Sequence, residues 1–139
     1  ETLYACDEEL APARATREHF ATSGAVCLRP DELGERIPDA TLALVIAADV
    51  LEHVDELPDL VETFERKLRP GGALLVSGPT ESLAYRLGRR LAGFSGEYHV
   101  RSVFHVEDEI RDARFDHEYR RQLPLFPSLF RITLWRRRT

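Results

Sequence analysis

Four polar side chains follow strand-like runs, where chemistry is most often carried in an open α/β sheet, because ligands bind beyond the carboxyl ends of its strands. Asp7 closes the β-prone run Thr2 to Cys6 and opens an acidic triplet with Glu8 and Glu9. A carboxylate there can accept two hydroxyl protons. The same three acids also suit the positive end of the helix that follows, and the residues alone leave both readings open. Asp31 follows the next run, Ala25 to Leu28, in the turn Arg29-Pro30-Asp31, where an aspartate is also an ordinary turn residue. Asp49 and His53 follow a third run, Leu42 to Ala48. His53 titrates near neutral pH and is a candidate general base; its other reading is a histidine that packs or hydrogen-bonds beneath the site. The two cysteines, Cys6 and Cys27, form no disulfide framework and lack the spacing and partners of a zinc site. They read as buried reduced thiols, and no metal site is expected.

The elements that must position these residues alternate. A helical stretch from Glu9 to about Thr22 has Leu10, Ala13, Arg17, Phe20 and Ala21 near one stripe, and Gly24 ends it. Leu42 to Ala48 is unbroken and apolar, as in a parallel strand covered on both faces. Asp55 offers a cap for the next helix, with Pro58 in its first turn. Leu57, Leu60, Val61, Phe64 and Leu68 share one face of it, and Arg69-Pro70-Gly71-Gly72 stops it. Ala73 to Ser77 is the next strand. A helix from Ser82 to about Leu91 and another near Val106 to Ala113 follow. Phe115 to Leu123 and Leu129 to Arg136 then alternate and are joined by Pro124 to Ser128, so they must be antiparallel. The pattern predicts one α/β domain over residues 1–139: a Rossmann-like, mostly parallel sheet with helices on both faces and a C-terminal antiparallel hairpin.

Composition narrows the function. The length of 139 residues suits one domain with one core. A net charge of -5 argues against nonspecific nucleic-acid binding, which needs excess positive charge. No apolar run approaches the roughly 18 residues that span a bilayer, so stable membrane insertion is not expected. No signal peptide is visible, and the cytoplasm is the expected location. There is no methionine, so the sequence reads as a processed product or a piece of a longer chain. Lys67 is the only lysine among 19 basic residues.

Three segments together resemble the later part of class I S-adenosylmethionine (SAM)-dependent methyltransferases. They are Leu3-Tyr4-Ala5-Cys6-Asp7, the run Leu44 to Val54 ending in "DVLEHV", and Arg66 to Ser77 containing "LRPGG". The last two motifs lie about 20 residues apart, and the resemblance covers nearly the whole chain. Ala43 stands where the family usually has an aspartate, a departure away from the site. The resemblance implies SAM as cofactor, with Asp7 on the ribose hydroxyls, Asp31 near the adenine amino group, and Ala48 and Asp49 touching the cofactor largely through backbone. It implies that the region after the fifth family strand shapes the acceptor site, so that Glu81, Arg86, Tyr98 and His99 become candidate acceptor residues. The arginines there can meet an acidic acceptor or an anionic membrane surface; a solvated helix face is the commoner meaning of such charge. Methyl transfer asks the protein chiefly to align the reactants and exclude water, so no acid-base residue is strictly required.

The family opens with a strand and a glycine-rich loop that wraps the methionine part of the cofactor, and no such motif occurs here. Gly24, Gly34 and Gly71-Gly72 have the wrong context. The sequence begins at the family's second strand, and the first strand would lie between the second and the fourth. A missing N-terminal segment is the expected explanation; direct pairing of the flanking strands or recruitment of a partner's strand, as in a homo-oligomer, are the alternatives. Two functions therefore stand. One is a methyltransferase acting on a small-molecule or lipid-like acceptor. The other is a non-catalytic methyltransferase-like module used for protein contacts or assembly.

Overall fold

The computed structural model describes residues 2–19, 24–80, 102–123 and 129–139. They form two compact units, Glu1–Pro38 and Asp39–Thr139.

The first unit is a β-α-β turn of chain. Strand β1 (Tyr4–Cys6) and strand β2 (Val26–Leu28) pair in parallel, Cys6 opposite Leu28. Helix α1 (Leu10–His19) connects them, and its half-buried positions are Leu10, Ala13 and Arg17, the predicted stripe. A parallel pair needs such a crossover, because a tight turn can only reverse the chain. After β2 the chain makes a 3₁₀ turn, Pro30–Glu32, and a short helix α2 (Leu33–Arg36), neither of which the sequence periodicity revealed. Leu28 and Ile37 are buried. Cys6 is exposed and Cys27 half-buried, so neither is the buried thiol expected.

The second unit holds the main core. Strands β3 (Leu42–Ala48), β4 (Leu68–Pro79), β5 (Phe115–Leu123) and β6 (Phe130–Arg137) form one sheet in the order β3-β4-β6-β5. The β3–β4 pair is parallel and the two C-terminal pairs are antiparallel, as the closing hairpin predicts. Helix α3 (Leu57–Lys67) and helix α4 (Val103–Asp112) pack over one face of this sheet. Leu57 and Val61 from α3, Val106 and Ile110 from α4, and Leu74, Val76 and Trp135 from the sheet close into one buried cluster. Each such side chain contributes about 1.5–3 kcal/mol on burial, which exceeds what helix propensity alone can supply.

Two local details depart from the sequence reading. Helix α3 is entered from Glu56 rather than Asp55, without a side-chain cap. The Pro-Gly-Gly segment does stop the helix, but it belongs to β4, which begins at Leu68 and bulges before Leu44 meets Ala73. Gly72 is required there, because a Cβ would lie 2.8 Å from the Arg69 carbonyl oxygen and 3.1 Å from that of Leu42. The predicted helix from Ser82 lies outside the described residues. No helix among the described residues is long and apolar enough to cross a membrane.

At the foot of the sheet the lone lysine, Lys67, is 5% exposed and its Nζ lies 2.6 Å from Asp39 Oδ1. That ammonium holds the Asp39 carboxyl below the usual carboxylate range, so the contact is charged on both sides at neutral pH. Its contribution is present at neutral pH and is lost as acid protonates Asp39.

Candidate functional site

In the first unit the polar side chains gather at the carboxyl ends of β1 and β2. The Asp7 amide donates to the Leu28 carbonyl at 3.1 Å, which carries the ladder one residue past β1 and fixes the aspartate at the strand's end. Its exposed carboxylate accepts the Glu9 amide through Oδ1 at 2.9 Å. This is the helix-entry contact that the acidic triplet suggested, and it orients the carboxylate without occupying Oδ2. Across the pair, Glu32 accepts the Arg29 amide at 2.8 Å and binds Arg36 at 2.9 Å. The amide bond, and then Arg36, hold the Glu32 carboxyl below its ordinary range. The turn carrying Asp31 is thereby locked. Asp31, Glu8, Arg29 and Pro30 line an open cavity of about 320 Å³. Beside it, burial and then the neighbouring acids Asp7, Glu32 and Asp31 push the Cys6 thiol up to about 11. It is a neutral thiol at physiological pH, with little nucleophilic character.

This donor set suits a nucleoside. Carboxylates accept protons from vicinal hydroxyls and from an exocyclic amino group, and here they stand on adjacent parallel strands whose spacing is about 4.8 Å. Asp7 and Asp31 are both brought to this end by the fold.

In the second unit β3 ends in a sharp turn. Asp49 has φ +53°, a left-handed conformation that aspartate tolerates better than most residues. Its amide donates to the Ser77 carbonyl at 3.0 Å, and its Oδ1 accepts the Ser77 hydroxyl at 3.1 Å. Both contacts bind the end of β3 to β4 and set the path of Ala48 and Asp49. The following 3₁₀ turn, Leu51–His53, exposes His53 and buries Glu52 to 2%. At the matching end of β4, a Cβ on Gly78 would lie 3.2 Å from Val103 Cγ2 and 3.8 Å from Glu52 Oε2. Glycine lets the start of α4 and the Glu52 carboxylate approach this strand end.

Sequence reasoning passed over Glu52, and also a buried ion pair on the same side. Glu107 of α4 and Arg131 of β6 meet at 2.9 Å, with side chains 3% and 9% exposed. Arg120 stands 3.7 Å from the same carboxylate oxygen, and the Arg131 guanidinium lies 4.3 Å over the Phe104 ring. Thr80 donates from both its amide, at 2.9 Å, and its hydroxyl, at 3.2 Å, to the Leu129 carbonyl. Acids in a helix face normally read as solvated, so no sequence signal marked Glu107 as interior. The acceptor candidates Glu81, Arg86, Tyr98 and His99 lie outside the described residues. Among the described residues no cluster of three or more His, Cys, Asp or Glu side chains is arranged to hold a metal.

Known proteins give a consistent picture. No curated protein matches this sequence. Solved structures match in fold. A SAM-dependent methyltransferase from Aquifex aeolicus superposes with a TM-score of 0.75 at 15% identity, over 98% of this chain and 69% of that one. An S-adenosylmethionine-dependent methyltransferase from Mesorhizobium loti gives 0.70 at 15% identity, over 98% and 80%. The cyclase SpnF gives 0.77 at 13% identity, over 99% and 67%. The chain thus spans about two-thirds to four-fifths of the length of these structures, and at such identities the likeness speaks of fold. The family model described as "Methyltransferase domain" matches residues 6–132, nearly the whole chain. This chain belongs to the methyltransferase domain family.

Proposed function

We propose that this chain is the adenosine-holding later part of a SAM-dependent methyltransferase that acts on a small-molecule or lipid-like acceptor. The observation that carries the reading is Asp7, held at the end of β1 by its own backbone and by the Glu9 amide, with Oδ2 left for a ribose hydroxyl. Asp31, at the neighbouring strand end, is assigned to the adenine amino group. Ala48 and Asp49 are assigned backbone contacts, which fits an aspartate whose side chain is already engaged by Ser77.

When bound, the cofactor supplies a methyl group on a positively charged sulfur that is already a good leaving group. The protein's part is placement and exclusion of water. His53, exposed at the first turn after β3, is the candidate to take the acceptor's proton. Glu81, Arg86, Tyr98 and His99 are the candidates for the acceptor side. The methionine portion of the cofactor has no glycine-rich loop here. We assign that role, and a strand for the open edge of β3, to polypeptide outside residues 1–139. A non-catalytic role in protein contacts or assembly is the second reading, favoured by the absence of that loop from the sequence.

Calorimetric titration with S-adenosylhomocysteine tests the proposal. The chain is expected to bind it, and Asp7→Ala to weaken binding about ten- to a hundredfold, the loss of one charge-assisted hydrogen bond or a bidentate pair. A folded chain that binds nothing, or binds equally well with Asp7→Ala, removes the adenosine assignment.

A further inference from the structure

The four-stranded sheet has two edges of opposite character. The outer edge, β5, carries Asp116, His117, Glu118, Arg120 and Arg121, and its register is broken by a bulge between His117 and Tyr119. Charges and bulges are the usual means by which an edge strand resists pairing. The other edge, β3, reads Leu-Ala-Leu-Val-Ile-Ala-Ala, with no charge, proline or glycine. Among the described residues it pairs only with β4. Leu44 and Ile46 are 48% and 62% exposed.

Its hydrogen-bonding direction is fixed. Thr41 and Asp49 donate to Lys67 and Ser77, so odd-numbered residues of this stretch face β4. In a parallel ladder a residue's amide and carbonyl point to the same neighbour. The groups of Leu42, Leu44, Ile46 and Ala48 therefore face the open side.

We propose that in the 139-residue chain this edge pairs antiparallel with β3 of a second copy, about a twofold axis at Val45. Leu44 then stands opposite Ile46 of the second copy and Leu42 opposite its Ala48, each pair exchanging both backbone hydrogen bonds. Val45 and the Ala43–Ala47 pairs fall between them. The twofold keeps each face of the strand on the same face of the joined sheet. Leu44 and Ile46 thus meet their counterparts on one side, and the smaller residues meet on the other. No like charges are opposed anywhere along the contact, unlike the β5 edge, where straight self-pairing of residues 119–123 sets Arg121 against itself. Such an isologous contact closes at two copies. A strand supplied from outside the 139 residues competes for the same edge.

Sedimentation velocity of the 139-residue chain over a dilution series tests this. The expected mass is twice that of one chain at the concentrated end. Ile46→Lys is expected to return it to a single chain by opposing charge to an apolar neighbour. Tyr119→Lys, which adds the same charge at a 52% exposed position on the same sheet face but away from this edge, is expected to leave the dimer intact. Amide exchange in the unmodified chain supplies a second readout, with Leu44 and Ile46 gaining protection as concentration rises. A single-chain mass throughout, a dimer that survives Ile46→Lys, a dimer lost with Tyr119→Lys, or exchange at Leu44 and Ile46 that ignores concentration would each overturn the proposal.

Discussion

Arg131→Met is expected to destabilise the four-stranded unit by about 3–5 kcal/mol, because it leaves the Glu107 carboxylate buried without its close partner. Glu107 is 2% exposed, and its Oε2 accepts Arg131 at 2.9 Å. The substitution also removes a guanidinium lying 4.3 Å above the Phe104 ring. Arg120, 3.7 Å from the same oxygen and 43% exposed, can move closer, which places the loss nearer the lower figure. The pair's own net worth is much smaller, since two ions were taken out of water to make it. One oxygen of Glu107 and the Nε of Arg131 have no hydrogen-bond partner, so its desolvation is incompletely offset. Replacing both residues together, Glu107→Leu with Arg131→Met, is therefore expected to recover most of the stability. Urea unfolding of the two single variants and the double variant measures this directly. Near-additive losses would mean that the side chains matter through packing rather than charge.

Trp135→Ala is expected to cost about 3–5 kcal/mol by cavity formation. Trp135 is fully buried in the core cluster, between strand β4 and the two helices. Its indole N–H donates to Thr133 Oγ1 at 3.0 Å, and the His117 ring meets it edge-on at 4.9 Å. Removing it strands the Thr133 hydroxyl as well as emptying the largest core site. Trp135→Phe keeps much of the volume and is expected to lose less. The chain has one tryptophan, so unfolding of these variants must be followed by circular dichroism rather than fluorescence.

The elements that were legible share a physical cause. Leu42 to Ala48 stood out as a continuous apolar strand, and its bounds match β3. The stripe from Leu57 to Leu68 gave α3 because one helix face is buried against the sheet. Alternation gave β5 and β6 because Arg131, Thr133 and Trp135 point to the helix-covered face while Ile132 and Leu134 point to the other. The 3₁₀ turns at Pro30–Glu32 and Leu51–His53 were not legible, since three residues carry no period. Glu52, Glu107 and Arg131 were missed because burial of a charge depends on tertiary neighbours that no local pattern records. Asp7 and Asp31 could be placed at strand ends from sequence, but the anchoring of Asp7 by Glu9 and the locking of the Asp31 turn by Glu32 needed coordinates. The left-handed backbone of Asp49, and its hold on Ser77, were equally invisible.

The central claim is that the carboxyl ends of these strands hold the adenosine of a methyl-donor cofactor. A titration of the isotopically labelled chain with S-adenosylhomocysteine, followed by amide chemical shifts, tests it most directly. The account predicts saturable shifts at Asp7, Glu8 and Asp31 and at the Ala48–Asp49 turn, with adenosine alone moving the first three. A folded chain whose amides at these positions do not move at saturating ligand, or move only elsewhere, would contradict it.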